Sequence, residues 1–174
     1  MQRRFCLSLL TTSAAIAPVL ALTGCGFALR KAPNFAFMTL FSPLPESSNL
    51  GIELKRSLES NGNVQVITDV RQIDKADVIL DVLQEQREKV VVGLNASGQV
   101  REFQLRLRFR FKLRSAKNSE LIPATEILQQ RDISFNESAV LAKETEEALL
   151  YREMQSDIVQ QIMRRMATVT ADKL

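Results

Sequence analysis

Hydrophobic and polar residues alternate strictly over one stretch of this chain, EFQLRLRFRFKLR at residues 102–114. Apolar side chains occupy the odd positions from Phe103 to Leu113, and cations occupy the even positions from Arg106 to Arg114. Successive side chains of a β-strand point to opposite faces, so this pattern predicts a strand with one buried and one cationic face. Cations two positions apart on a strand lie only about 7 Å from each other, so they repel unless acids or an anionic ligand compensate them.

Shorter apolar runs, bounded by turn residues, predict the other strands. A long strand at 77–94 is joined to the basic strand by turn residues at 95–98, in the manner of a β-hairpin. Further strands are predicted at 35–41, 64–68 and 126–135. Several consecutive strands therefore occupy the middle of the chain.

Helical periodicity is present in two segments. Residues 47–49 are good N-cap residues, and the leucines that follow them are spaced four apart up to about Asn61, with Gly62 as the predicted end. A second, longer helix is predicted from about Ser138, because apolar residues recur at every fourth position. Its apolar face comprises Leu150, Met154, Ile158, Val159, Ile162, Met163 and Met166.

The order of the elements predicts an α+β fold. A strand, a helix, several strands and a long helix suit a two-layer sandwich, with two helices packed on one face of a mainly antiparallel sheet. The apolar face of 103–113 would contact the helices, and the cationic face would be open. A chain of 174 residues is long enough for one domain, predicted at 35–170, with 171–174 frayed.

The N-terminus has the layout of a secretory signal peptide. Residues 1–4 are positively charged, 5–20 are apolar with small residues, and ALTGCG follows at 21–26. LTGC at 22–25 resembles the lipobox of bacterial lipoproteins, which implies cleavage after residue 24 and lipid on the thiol and the amine of Cys25. Residues 25–34 would then be a lipidated tether. An ordinary signal peptide is the alternative, and the paired arginines at 3–4 leave both Sec and twin-arginine export open.

The cysteine content agrees with a lipid anchor. Cys6 would leave with the signal peptide, so Cys25 would be the only cysteine of the mature chain and no intrachain disulfide could form. Each buried methylene contributes about 0.8 kcal/mol, so several acyl chains would hold the protein on a membrane essentially permanently. Gly26 stands where an aspartate retains related lipoproteins at the inner membrane, which implies the periplasmic face of the outer membrane.

Composition excludes several classes of function. The chain has no histidine, which removes the usual general base and the commonest metal ligand. The sequence has no glycine-rich phosphate loop, no GxSxG motif and no acidic cluster with metal-ligand spacing, so neither an enzyme nor a cofactor is predicted. Without Arg3 and Arg4 the net charge falls from +3 to +1, so overall basicity does not indicate nucleic-acid binding.

Three short motifs, in this order, resemble the LptE family of lipopolysaccharide-assembly lipoproteins. CGFALR at 25–30 is similar to the start of that family's mature chain. EFQL at 102–105 and LAK at 141–143 are similar to its central strand and to the start of its last helix. The resemblance spans nearly the whole mature chain.

The resemblance implies a domain of two helices and four strands that sits as a plug inside the LptD β-barrel of the outer membrane. It also implies direct binding of lipopolysaccharide and a role in its delivery to the cell surface. The family binds lipopolysaccharide through basic residues near the central hairpin and near the start of the last helix. The matching candidates are Arg101, Lys143, Arg87 and Lys89.

Two interpretations of the cationic strand face remain open. In the first, its charges are compensated by neighbouring acids, and such cross-strand pairs contribute only about 0.2–1 kcal/mol each. The acids within reach are predicted to be Asp81, Glu85, Glu126 and Asp132. In the second, Arg106, Arg108 and Arg110 bind lipid A phosphates or acidic side chains of a barrel lumen, because arginine suits bidentate contacts with oxyanions.

Two other classes of protein share the anchor and the predicted fold. A lipoprotein that acts as a chaperone or pilot for another outer-membrane barrel would not bind lipopolysaccharide. A structural envelope lipoprotein would have neither a barrel partner nor a ligand.

Overall fold

A computed structural model of the protein describes residues 33–174. The predicted signal peptide, nearly all of the tether and Cys25 lie outside the described residues. The elements are β1 (Thr39–Phe41), α1 (Asn49–Gly62), β2 (Gln65–Ile67), β3 (Val78–Leu94), β4 (Val100–Ser115), β5 (Glu120–Ser134) and α2 (Val140–Met166). Short 3-10 segments are Val70–Lys75, Glu137–Ala139 and Ala171–Lys173, and Leu174 packs against the core.

The sheet of residues 33–174 is mixed and has five strands, so the predicted four-stranded, mainly antiparallel sheet is wrong in its strand count. The strand order is β2-β1-β3-β4-β5. Strand β1 pairs in parallel with both β2 and β3, while β3, β4 and β5 pair antiparallel. Helix α1 crosses over between β1 and β2, and a crossover helix is what allows adjacent strands to run parallel. The α+β class with helices and one sheet is confirmed.

Strand bounds also differ from the prediction at two places. The first strand begins at Thr39 rather than Phe35, although Phe35 and Phe37 are buried with their ring centroids 5.4 Å apart. The last strand begins at Glu120, six positions earlier than predicted, because its pairing with β4 continues to Arg114. Pro123 lies inside β5, where the outer edge of an edge strand tolerates a missing N–H.

The core lies between the sheet and the two helices. The odd-numbered side chains of β4 from Leu105 to Leu113 have no exposed surface, which confirms the predicted apolar face. Full burial of each such side chain contributes about 1.5–3 kcal/mol. The long helix packs against them with Met154, Gln155, Ile158, Val159, Ile162, Met163 and Met166.

Helix α1 is capped at both ends. Ser48 Oγ accepts a hydrogen bond from Gly51 N at 3.2 Å, as an N-cap serine does. At the other end Gly62 is still helical, and it is Asn63 that takes the left-handed conformation, with φ 51°. Asparagine tolerates this conformation better than most residues with a side chain.

A β-bulge at Leu83 determines which residues in the second half of β3 lie on the helix face of the sheet. Val82 pairs with Phe111 and Gln84 with Arg110, so Leu83 is one residue more than the partner strand requires. Before the bulge the even-numbered residues of β3 lie opposite buried residues of β4, and beyond it the odd-numbered ones do. Directly paired residues share a face of the sheet, so Arg87 and Lys89 lie on the helix face.

Candidate functional site

Two of the predicted cations meet where the far end of the β3–β4 hairpin approaches the start of α2. Lys89 and Lys143 both line a crevice of about 70 Å³. We call this region the hairpin–helix junction and define it by Lys89, Phe103, Ser134, Phe135 and Lys143. The bulge in β3 and the first turn of α2 together bring these two ammonium groups to one place.

Each ammonium group of the junction already has a carboxylate beside it. Lys89 Nζ lies 2.6 Å from Glu147 Oε2, and Lys143 Nζ lies 2.8 Å from Glu146 Oε2. Lys143 also donates to Ser134 Oγ at 3.0 Å. The lysine side chains are 38% and 22% exposed, so both groups are partly desolvated but open to a ligand from solution.

Aromatic rings form the apolar wall of the junction. Lys89 Nζ lies 4.4 Å from the centroid of the Phe103 ring, a cation–π distance. The Phe135 ring packs edge-on against Phe103, with centroids 5.3 Å apart. Phe135 N donates to the carbonyl of Arg101 at 2.8 Å, so the backbone of Arg101 lies beside the junction while its side chain is exposed.

Arg87 lies next to the junction on the same face of the sheet. Its guanidinium carbon is 5.3 Å from the centroid of the Tyr151 ring, and the Tyr151 hydroxyl donates to Glu88 O at 2.8 Å. Burial raises the pKa of Tyr151 above its ordinary value, the Glu147 carboxylate adds to this, and Arg87 partly opposes it. Arg87 and Lys89 also line a larger cleft between α1, β3 and α2.

The remaining predicted cations lie on the opposite, open face of the sheet. Arg108 pairs with Glu126 at 2.8 Å, and Asp81 accepts both Arg114 at 2.9 Å and Lys112 at 3.6 Å. Arg106 instead donates to Gln104 at 2.8 Å, and Gln104 in turn donates to Asp132. Within residues 33–174 Arg110 has no ion pair. Neighbouring acids therefore compensate most of this face.

One predicted acid is not available to that face. Glu85 pairs with Phe109, a buried residue of the helix side, so the bulge places Glu85 away from the cationic face. The cations thus lie on opposite faces of the sheet, so one ligand cannot contact both sets. Arg87, Lys89 and Lys143 are on the helix face, and Arg106, Arg108 and Arg110 are on the open face.

Several residues of the site were missed from the sequence. Glu147 and Tyr151 looked like ordinary helix residues, because their partners Lys89 and Glu88 come from β3 and no local pattern reveals those contacts. Glu146 was also missed, although it lies three positions after its partner Lys143 on α2, a spacing at which helix side chains meet. The bulge did leave a sign, since Val82 and Leu83 are adjacent apolar residues that interrupt the alternation of the long strand. An interruption of this kind is typical of a bulge.

Other chemistry is not favoured by the described part of the chain. Across residues 33–174, no group of three or more acidic or cysteine side chains could hold a metal ion. A mostly apolar groove of about 640 Å³ lies between α1 and the loop before it, and it contains none of the predicted cations. Of the helices described, none is both long and apolar enough to cross a membrane.

Three solved structures of bacterial lipoproteins have a similar fold. The solution NMR structure of lipoprotein B from Nitrosomonas europaea has a TM-score of 0.67 and 34% identity, covering 80% of this chain and 88% of that one. The crystal structure of rare lipoprotein B from Shewanella oneidensis has a TM-score of 0.60 and 22% identity, with 75% and 94% covered. The crystal structure of a minor lipoprotein from Acinetobacter baumannii has a TM-score of 0.59 and 23% identity, covering 75% of this chain and 91% of that one.

The likeness to the Shewanella and Acinetobacter structures shows a common fold. None of the curated proteins matches the chain. The family model of LptE, described as lipopolysaccharide-assembly, matches residues 38–166, which is most of the chain. Because this match covers well over half of the chain, the chain belongs to the LptE lipopolysaccharide-assembly family.

Proposed function

We propose that this protein is an outer-membrane lipoprotein that binds lipopolysaccharide at the hairpin–helix junction and serves as a plug in an LptD-like β-barrel. Family membership supports a role in lipopolysaccharide assembly. The main support for the binding site is that Lys89 and Lys143 line one crevice with an aromatic wall. Lipid A offers phosphates for ammonium groups and acyl chains for apolar surface.

Exposed apolar residues surround the junction and suit this ligand. Val91, Val92 and Leu94 near the tip of the hairpin are 45%, 48% and 61% exposed, and Leu141 at the start of α2 is 80% exposed. Large apolar side chains at this exposure are typical of interaction surfaces when they cluster. Acyl chains or the wall of a barrel would cover them, while Lys89 and Lys143 bind the phosphates and Arg87 and Arg101 flank them.

The open face serves a different purpose in this proposal. Because most of its cations are compensated by acids, it suits a wet contact with charged groups of a barrel lumen more than it suits lipid A phosphates. Arg110 is the member of this face with the least compensation.

Binding assays on matched variants test the site. Lys89→Gln with Lys143→Gln is expected to weaken lipopolysaccharide binding about tenfold and to flatten its dependence on salt, because two charge-assisted contacts are lost. The matched control replaces Arg106, Arg108 and Arg110 by Gln, and it should bind almost as tightly as wild type. A larger loss in the control would move the site to the open face, and equal affinity in all three proteins would refute direct binding.

Affinity purification from membranes tests the partner. A roughly equimolar complex with a large outer-membrane barrel should survive detergent extraction, because a plug has an extensive enclosed contact. Recovery of a different barrel, together with unchanged surface lipopolysaccharide in a null strain, would favour the chaperone class. Recovery of the protein alone would favour the structural class.

The anchor is tested by Cys25→Ala. Loss of the acylated thiol should release the protein from membranes on mild washing, since a chain without acyl groups has no such attachment. Intact mass of the wild type should show the acyl groups. A variant that stays bound as firmly as wild type, beside a wild type of unmodified mass, would contradict lipid attachment.

A further inference from the structure

A second candidate binding site lies in the cleft between α1, β3 and α2. We call it the inter-helix cleft and define it by Ile52, Arg56, Arg87, Tyr151, Arg152 and Gln155. Its volume is about 980 Å³, which is large enough for a ligand group to be enclosed on several sides. Its lining also includes Lys89, Glu144 and Glu147, which line the crevice of the hairpin–helix junction, but the cleft extends away from the junction along both helices.

A buried donor lines this cleft. The Gln155 side chain is only 4% exposed, and its Nε2 has no acceptor among residues 33–174. Buried polar groups are almost always hydrogen-bonded, because a donor removed from water without an acceptor is destabilising. Gln155 stands among methionine, isoleucine and valine residues on the buried face of α2, where an apolar residue would pack without that loss. A polar acceptor in the cleft accounts for its presence.

The charged residues of the cleft favour an anion as that acceptor. Arg56, Arg87 and Arg152 form no ion pair within the described residues, and Arg87 is held against the Tyr151 ring. Two of the three lining carboxylates are engaged, since Glu147 pairs with Lys89 and Glu53 accepts from the Ser156 hydroxyl. With Lys89 the lining holds four cations against three carboxylates, which leaves a net charge of +1 for an anion to balance.

We propose that the inter-helix cleft binds a carboxylate, presented as the acidic side chain of a protein partner. Guanidinium groups bind carboxylates bidentately, and the Gln155 amide supplies a further donor beneath them. A singly charged carboxylate balances the net charge of +1 of this lining, whereas a phosphate dianion would leave the cleft with a net negative charge. Ile52 at the rim is 40% exposed and suits the aliphatic stem of a glutamate side chain. This proposal does not rest on lipopolysaccharide binding at the junction, although Lys89, Glu144 and Glu147 line both sites.

Nuclear magnetic resonance of the full-length protein tests the proposal. The probes are N-acetylglutamate amide, its neutral counterpart N-acetylglutamine amide, and inorganic phosphate. The glutamate compound should shift the Gln155 side-chain amide signals saturably, and the glutamine compound should not. No shift with any probe would overturn the proposal and leave water as the acceptor. Equal shifts with both amides, or a stronger response to phosphate, would also overturn it.

Matched variants on α2 identify the residues. Arg152→Gln should weaken binding of the glutamate compound about fivefold, because a charge-assisted contact is lost, while Arg164→Gln on an exposed part of the same helix should have no effect. Gln155→Met removes the donor at similar size, with Gln160→Met as its exposed control. Arg152 is exposed, so its variant folds and keeps the test decisive even if Gln155→Met is unstable. Equal binding by Arg152→Gln and Arg164→Gln would contradict the assignment.

Discussion

Glu147→Gln should make the protein bind lipopolysaccharide more tightly, although it removes an ion pair. In the wild type Glu147 Oε2 lies 2.6 Å from Lys89 Nζ, so a phosphate that binds Lys89 must displace an internal carboxylate. Glutamine keeps the size of the side chain and removes its charge. The variant therefore presents Lys89 to a ligand without a competitor.

The size of the effect follows from the exposure of the pair. The Lys89 and Glu147 side chains are 38% and 23% exposed, so water weakens their attraction and the pair contributes only about 0.5–1 kcal/mol. Release from that competition corresponds to a gain in affinity of about two- to fivefold. The same free energy is lost from the folded state, which lowers Tm by about 3 °C.

Calorimetric titration with lipid A, in parallel with thermal unfolding, measures both effects. Glu144→Gln is the matched control, since Glu144 lines the same crevice and has no ion pair among the described residues. The pKa of Tyr151, which is raised by burial and further by Glu147, should fall in the Glu147 variant and shows that the local geometry is retained. Equal gains in affinity for both variants would mean that the change in net charge alone causes the effect. Weaker binding by Glu147→Gln would refute the competition between Glu147 and the phosphate.

Three further changes test the fold. Phe109→Ala should lower the free energy of unfolding by about 3–5 kcal/mol in denaturant titrations, because a ring without exposed surface leaves a cavity; a loss below about 1 kcal/mol would contradict the described core. Ser48→Ala should cost about 1 kcal/mol through loss of the N-cap, and Ser48→Gly only a few tenths, so equal losses would exclude capping. Burial opposes ionisation of Asp77, but hydrogen bonds from Met38 and Thr39 outweigh it and lower its pKa. Its contribution is thus present above the unfolded pKa of about 3.9 and lost as pH falls through the lower folded value. Because the side chain is exposed, water screens the interaction, so Asp77→Asn should destabilise the protein by only about 0.5–1 kcal/mol at pH 7 and flatten the loss in acid.

The sequence was most informative where one face of an element is buried and the other is not. The period of two in β4 and the period near four in α2 indicate the core directly, because nearly all of their buried positions are apolar. The three-residue strands β1 and β2 carry too few positions for a period, and their parallel pairing depends on a crossover. The hydrophobic pattern did predict five strands, and the count of four came from the family resemblance. The parallel pairing of β1 with its two neighbours was therefore the part of the fold that the pattern could not supply.

The site was predicted as residues but not as an arrangement. Lys89 and Lys143 were both candidates, yet nothing local indicates that they line one crevice, because their proximity depends on the pairing of β3 with β4 and on the packing of α2. Glu147, the partner of Lys89, was missed for the same reason, whereas Glu146 lies three positions after Lys143 and could have been proposed as its partner. Gln155 was missed because a single polar residue in an apolar helical stripe looks like a small irregularity.

The bulge at Leu83 also bears on how the length of this chain can change in evolution. The hydrophobic core fixes the register of β3 before Leu83, and the hairpin turn fixes it beyond. Leu83 is therefore one extra, unpaired residue between two segments of fixed register. A one-residue deletion near this point would remove the bulge without changing the pairing beyond it, so Lys89 would still face the helices. An insertion would add a second unpaired residue here, and so a further irregularity to a ladder that already has three. Loss of a residue at this position should therefore be tolerated more readily than gain of one.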